Sequence, residues 1–299
     1  METSLTAPIY LAQLRLFLAE DMPSGDITTE PIVAPDCQAQ GVLLAKAPLV
    51  LAGVEVFQTV FRLLDPAARF EIVAHDGDEI LPGQIPVRVQ ASARALLGGE
   101  RTALNLVQRL SGIATLTRQF IRAVEGTGAK ILDTRKTIPG FRDLDKYAVR
   151  AGGGKNHRRD LSHAVLIKDN HIRMAGGVRQ ALAAVEPMRG RAAWIEVEVT
   201  TLEELNAAID SAPDVILLDN MTPPQAAEAV QLLHRRDPQH KILAEASGGI
   251  TLQSVRPYAE AGVDWISVGA LTHSVPAVDL SFEIEPEPSL QAHQVRTQS

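Results

Sequence analysis

From Lys130 onward the chain repeats one pattern: a short apolar run, then a helix-length amphipathic segment. The apolar runs begin near Ile131, Val165, Trp194, Val215, Ile242 and Trp265. The amphipathic segments are Leu144 to Arg150, Val178 to Val185, Leu202 to Ile209, Pro224 to Arg235 and Leu252 to Ala261. Strands that alternate with helices run parallel, because each helix returns the chain to the side where the next strand starts. A closed α/β barrel has eight such strands. Only six are legible here, so the expected architecture is an incomplete, TIM-like α/β barrel, open or with one irregular strand hidden.

In such a barrel the residues just after each strand gather at one mouth, where active sites are built. The first two runs end in Asp133-Thr134-Arg135-Lys136 and Lys168-Asp169-Asn170-His171, and between them lies Gly152-Gly153-Gly154-Lys155-Asn156-His157-Arg158. Arg135, Lys136, His157, Arg158 and Lys168 therefore form a cationic set in a chain whose net charge is −7. That local asymmetry points to a small anionic substrate, while the total charge argues against nucleic-acid binding. The glycine run does not match a phosphate loop, since no Gly-Lys-Ser/Thr follows. It is expected to be a flexible turn that positions His157 and Arg158.

Side chains alternate along a strand, so Glu196 and Glu198 share the inner face of the third run and Ile195, Val197 and Val199 pack outward. The fourth run ends in Asp219. Glu198 and Asp219 suit a Mg²⁺ bound largely through substrate oxygens; equally, they suit a structural network with the arginines and lysines. Glu245-Ala246-Ser247-Gly248-Gly249-Ile250 and Ser267-Val268-Gly269-Ala270 follow the last two runs. Two consecutive glycine loops at the end of a barrel favour phosphate.

The first third lacks this regularity. A helix is expected from Ile9 to Asp21 and another from Val54 to Leu64; strands are expected at Gly41 to Ala45, Arg69 to His75 and Pro86 to Ala91. Two long helices, Arg94 to Leu110 and Ile113 to Val124, follow. The expected domains are an N-terminal α+β domain over 1–111, joined by a returning strand within 275–284, and the barrel over 112–274. Residues 285–299 read as a disordered tail. A lone Cys37, no signal-peptide pattern and no long apolar run suggest a cytoplasmic protein.

The motifs Gly25-Asp26-Ile27-Thr28-Thr29, Glu100-Arg101-Thr102-Ala103-Leu104-Asn105 and Asp133-Thr134-Arg135-Lys136-Thr137 closely resemble those of quinolinate phosphoribosyltransferase. So do Gly153-Gly154-Lys155-Asn156-His157-Arg158, Lys168-Asp169-Asn170-His171, Glu196-Val197-Glu198, Leu218-Asp219-Asn220, Ser247-Gly248-Gly249 and Ser267-Val268-Gly269. The resemblance implies phosphoribosyl transfer to quinolinate with decarboxylation, Mg²⁺ as cofactor, and a homodimer with shared sites. It implies that Arg101 reaches the other subunit's site, that Arg135, His157, Arg158 and Lys168 bind quinolinate, and that Thr134 is among the substrate-binding residues. Lys136 would lie near the reaction centre, and Glu198 and Asp219 would serve ribose and metal. Ser247, Gly248, Gly249, Ser267 and Gly269 would form the 5′-phosphate loops, with Glu245 and Val268 also among the substrate-binding residues. The sequence departs from the family pattern at Ile138, Asp160 and Ser162-His163. Alternatives are the related protein of molybdate-transport operons, a Schiff-base barrel using Lys168, and a non-catalytic anion-binding barrel.

Overall fold

The structure, a computed structural model, describes residues 8–287. It divides into two compact units, one running to Gly112 and resuming at Pro276, the other comprising Ile113–Val275. No helix among the described residues is long and apolar enough to cross a membrane.

The first unit opens with α1 (Pro8–Asp21) and α2 (Thr29–Ile32), followed by β1 (Gln38–Ala45), β2 (Leu49–Val50), α3 (Val54–Leu64), β3 (Arg69–Ile72), β4 (Glu79–Ile80) and β5 (Val87–Ser92). β1 pairs antiparallel with β5 and, on its other edge, with the C-terminal strand Leu280–Pro286. Alternation along β5 buries Val87, Val89 and Ala91 and exposes Arg88 and Gln90. α3 buries Phe57 and Phe61, and Phe282 of the returning strand packs on both at ring-centroid distances of 5.7 and 5.3 Å. Aromatic contacts of this kind add to the area they bury, which ties residues about 220 apart in sequence into one core. The returning strand extends to Pro286, past the point where the tail is expected to begin. The rest of that expected tail, 288–299, lies outside the described residues.

α4 (Ala93–Ala123) is one helix of 31 residues rather than two. Ser111-Gly112 reads as a break, since glycine is a poor helix former. Tertiary contacts decide otherwise. Ser111 Oγ accepts the Ala52 N–H at 3.0 Å, and a Cβ on Gly112 would stand 2.3 Å from the Pro276 carbonyl oxygen. A small residue is needed there, and the helix passes through it.

The second unit alternates as expected: β6 (Lys130–Leu132), α5 (Arg142–Ala151), β7 (Val165–Ile167), α6 (Asp169–Ala175), α7 (Val178–Val185), β8 (Ile195–Val199), α8 (Leu202–Ile209), β9 (Val215–Asp219), α9 (Pro223–Arg236), β10 (Leu243–Ser247), α10 (Val255–Glu260), β11 (Trp265–Ser267) and α11 (Ala270–His273), before the returning strand, β12. The short α6, beginning directly after Lys168, is not among the expected helices. The six strands form one parallel sheet in the order β6-β11-β10-β9-β8-β7. Consecutive strands β6 and β7 thus end up at opposite edges, and the barrel is open between them. In place of a ladder, the segment around Lys155 runs beside β6: Lys155 N–H donates to Ile131 O at 2.8 Å, and Asp133 N–H donates to Lys155 O at 3.2 Å. Several helices start directly after their strands because a side chain caps them. Thr201 Oγ1 accepts Glu204 N–H at 3.1 Å, and Gln225 Oε1 accepts Thr222 N–H at 2.9 Å.

Candidate active site

A cavity of about 570 Å³ lies at the C-terminal ends of the barrel strands. Strand alternation fills it, with Leu166 and Lys168 from β7 and its exit, Glu198 from β8, and Leu217 and Asp219 from β9. Glu245 and Ser247 of β10 and Ser267 and Gly269 from β11 and its exit complete the inner face. Registers stack these in layers. Glu198 and Glu245 both pair with Leu217, and Ser247 pairs with Asp219 one layer nearer the mouth. Thr134, Arg135 and Lys136 enter from the end of β6, and His157 and Arg158 from the segment in the barrel opening.

Two expected residues lie elsewhere. Val268 is 1% exposed, and its N–H donates to Leu132 O at 2.9 Å, so it faces the core. Arg101 sits exposed on α4 in the first unit, does not line this cavity, and makes no ion pair with Glu100 or any other described residue.

The floor of the cavity is a buried polar cluster. His157 Nε2 lies 3.1 Å from Glu196 Oε2 and 3.4 Å from Glu245 Oε2, with both glutamates fully buried. Trp194 donates its ring N–H to Glu196 at 2.9 Å, and Trp194 and Trp265 pack edge-on to the imidazole. Burial alone would strip the proton from His157, but the two glutamates outweigh it and raise the imidazole to about 10. Burial, then the nearby Glu196, also raises the Glu245 carboxyl. Arg158 N–H points at His157 Nδ1 at 2.8 Å. That contact opposes a proton on Nδ1 and leaves Nε2 as the proton-bearing nitrogen facing the glutamates. Both shifts have one meaning: two carboxylates in a dry site cannot both stay ionised beside a neutral ring, so the cluster retains a proton. The same three side chains are close enough to surround an ion, but the retained proton already performs that neutralisation.

Above the floor the charge is positive. Arg158 is 6% exposed and donates from Nη1 to Ala164 O at 3.1 Å. Burial first, and neighbouring Arg135 second, press its guanidinium below its ordinary range. Arg135 is half-buried, makes no ion pair among the described residues, and keeps a buried Nε without a hydrogen-bond partner. Glu196 offsets part of this for Arg158, but neither guanidinium has a carboxylate in ion-pair contact among the described residues, and buried cations so placed are costly, so this pair is suited to an anion. Lys168 differs, because its Nζ lies 3.1 Å from Glu198 Oε2.

The side of the cavity at the exits of β9 and β10 is set by backbone shape. Asn220, just past β9, has φ of 54°, a left-handed conformation that asparagine tolerates. Its side-chain N–H donates to Asp219 Oδ2 at 2.6 Å. Gly248 has φ of 107°, and a Cβ there would stand 2.2 Å from Asn220 Oδ1. Only glycine fits. The run Gly152–Gly154, expected to be a flexible turn, is close-packed instead: a Cβ on Gly152 would meet Ala114 O at 2.5 Å, and one on Gly154 would meet Thr117 and Val149 at 2.8 Å.

The family departures build their own loop. Asp160 accepts from Arg159 at 2.9 Å and from Ser162 N–H at 2.9 Å. His163 accepts Arg159 N–H at 3.2 Å and packs its ring on Trp194. The cavity also uses Leu166, Leu217, Asn220, Ile250, Thr251, Ala270 and His273, which are absent from the expected set. Leu166 and Leu217 were legible as the period-two neighbours of Lys168 and Asp219. His273 carries no such signal; it reaches the cavity because α11 turns it back over Gly269.

Comparison with known proteins agrees with this geometry. Residues 113–283 match the family described as quinolinate phosphoribosyl transferase, C-terminal domain, and residues 26–111 match its N-terminal domain. The chain is 42% identical over 272 residues to the probable nicotinate-nucleotide pyrophosphorylase (carboxylating) of Bacillus subtilis, covering 91% of this chain and 92% of that one. It is 44% identical over 274 residues to the nicotinate-nucleotide pyrophosphorylase (carboxylating) of Mycobacterium leprae, covering 91% and 95%. Among solved structures it superposes on NadC from Streptococcus pyogenes with a TM-score of 0.90 at 37% identity, covering 96% of this chain and all of that one.

Proposed function

The chain belongs to the quinolinate phosphoribosyltransferase family, and from that premise we propose how its cavity carries out the family's reaction. That reaction transfers phosphoribosyl from phosphoribosyl pyrophosphate to quinolinate and gives nicotinate mononucleotide, pyrophosphate and CO₂. The observation that carries the assignment of roles is the Arg135–Arg158 pair. Two guanidiniums press on one another at the cavity, and Arg135 has no carboxylate partner among the described residues. Quinolinate brings two adjacent carboxylates, and arginine takes carboxylates in a two-pronged way.

Held there, with Lys168 and Thr134 alongside, the pyridine nitrogen attacks the anomeric carbon of the ribose. The C–O bond to pyrophosphate breaks, and its electrons leave with that group. Lys136, exposed at the mouth with its N–H on Thr134 Oγ1 at 3.1 Å, is placed to stabilise the departing charge. The loops that follow β10, at Gly248–Gly249, and β11, at Gly269, hold the 5′-phosphate through backbone N–H groups, with the Ser247 and Ser267 hydroxyls beside them. The product nitrogen is cationic, so it stabilises the electron pair left on the adjacent ring carbon when the neighbouring carboxylate departs as CO₂, and a proton from water then takes the place of the lost carboxylate.

Glu198 and Asp219 fit a Mg²⁺ that is shared with substrate. Each already engages a neighbour through one oxygen, Lys168 at 3.1 Å and Asn220 at 2.6 Å. Two carboxylates cannot complete an octahedral shell by themselves, so the other ligands would be water and substrate oxygens. The ion would supply neutralisation of the pyrophosphate charge. The reading includes a homodimer in which Arg101 serves the neighbouring subunit's cavity, and a cytoplasmic location consistent with the single free Cys37.

A Schiff-base role for Lys168 is disfavoured, because its amine is half exposed and paired to Glu198, whereas that chemistry needs a desolvated lysine. The deciding assay supplies quinolinate, phosphoribosyl pyrophosphate and Mg²⁺. Nicotinate mononucleotide and CO₂ should appear in equal amounts. Binding without turnover would favour the non-catalytic anion-binding barrel and overturn this reading.

A further inference from the structure

We propose that the buried Asp133–Lys146 pair, with Asn156, is a positioning device that clamps the backbone of His157 on both sides of its Cα and so aims His157 and Arg158 at the substrate. The inference rests on the reading that these two residues hold quinolinate.

The need for a clamp comes from the fold. His157 and Arg158 do not stand on a strand. They stand on the segment that occupies the opening between β6 and β7, and its backbone is tied to β6 only through the bridge between Leu132 and Lys155. Sites on strands are held by ladders on both sides, and this segment has none beyond that bridge.

Side chains supply what the ladder does not. Asp133 is fully buried, and its Oδ1 accepts Lys146 Nζ at 2.5 Å and His157 N–H at 2.8 Å. Lys146 is 3% exposed and also donates to His157 O at 3.0 Å. The two peptides that flank the His157 Cα are therefore gripped, the first at its N–H by the aspartate and the second at its carbonyl by the lysine. Asn156 locks the assembly: its side-chain N–H₂ donates to Asp133 Oδ2 at 2.6 Å and to Lys146 O at 2.9 Å, while its oxygen accepts from Arg150. Every member of the set is satisfied by another. Burial weakens both charges, raising the Asp133 carboxyl and lowering the Lys146 amine, so the pair is a poor source of stability for its own sake. Its geometry serves orientation: Asp133 is one residue before Thr134, and the clamp fixes the cavity residues after β6 relative to those in the opening.

The test compares Asn156→Ser, which removes one arm, with Asp133→Asn/Lys146→Met, which removes both charges at similar volume. KM for quinolinate and for phosphoribosyl pyrophosphate are measured separately, with melting temperature as a check on folding. A misplacement near one ångström costs on the order of 100-fold. The double variant should raise the quinolinate KM by roughly 10- to 100-fold and leave the phosphoribosyl pyrophosphate KM within about twofold, because the phosphate loops hang on other strands. Asn156→Ser should move the same constant in the same direction by less. A purely structural pair would lower the melting temperature and leave the ratio of the two constants unchanged. If either folded variant keeps the wild-type quinolinate KM, the clamp is refuted. Arg158→Ala is the control: if it too leaves quinolinate KM unchanged, the pocket assignment fails; if it alone raises that KM, only the clamp fails.

Discussion

Lys168 Nζ lies 3.1 Å from Glu198 Oε2, so one of the cations expected on quinolinate and one of the carboxylates expected on the ribose hold each other. This pairing transfers the burden of anion recognition to Arg135 and Arg158, which make no ion pair among the described residues, although Glu196 lies near enough to Arg158 to act on its charge. Nicotinate has only one of quinolinate's two carboxylates and would leave one guanidinium unpaired. Truncating one partner of a buried charge pair costs about 2–5 kcal/mol, which is at least roughly 30-fold in binding. Side-by-side kcat/KM values for quinolinate and nicotinate should therefore differ by at least that factor. Comparable values would mean that the arginines do not read the second carboxylate.

Chelation should abolish turnover, and Asp219→Asn should lower kcat by roughly 100-fold or more, the scale of losing a preorganised electrostatic contact. The variant should keep its fold, since Asp219 stands at a strand end and its side chain bonds, among the described residues, to the neighbouring Asn220. Steady-state assays with and without excess chelator, and a thermal melt of the variant, check both halves. Full activity in chelator would remove the metal role from Glu198 and Asp219.

The buried cluster makes the fold sensitive to alkali. His157 moves from an ordinary value of 6.5 to about 10 in the fold. A raised value means its stabilisation is complete below about 6.5 and is lost as pH rises through about 10. Glu245 is also raised and acts in the same direction. The melting temperature should fall between pH 7 and pH 10. Glu245→Gln removes one of the two carboxylates facing the imidazole, so its fall over that range should be shallower. An equally steep decline in the variant would show that the cluster holds no extra proton.

The barrel was legible because its signal is local. Alternation placed Glu196, Glu198 and Asp219 on inner faces, and the strand exits collected the cations. What stayed hidden depends on closure. The opening between β6 and β7 follows from which edges pair, and no residue announces it. Gly152 to Gly154 signal freedom by composition, yet the helix packed against them removes it. Ser111-Gly112 signals a break, yet α4 passes through. Glu196 reads as an inward-facing carboxylate beside Glu198, and only the approach of His157 and Trp194 shows it to be buried floor.

Arg101 sets the last test. It lies exposed on α4, does not line the cavity and makes no ion pair among the described residues, so they give it no work in its own chain. If it serves a neighbouring subunit, Arg101→Ala and Lys136→Ala should each be nearly inactive alone. In a heterodimer of the two variants, one cavity draws intact Lys136 from the first chain and intact Arg101 from the second. The other cavity carries both defects. An isologous dimer places the same pair of surfaces at both sites, so each heterodimer has one whole site. Subunit exchange should then restore activity towards about half of wild type within the heterodimer fraction, an expectation set by that symmetry. Heterodimers can be isolated with two affinity tags and assayed directly. Heterodimers with no recovered activity would place Arg101 in its own chain's chemistry or outside any site.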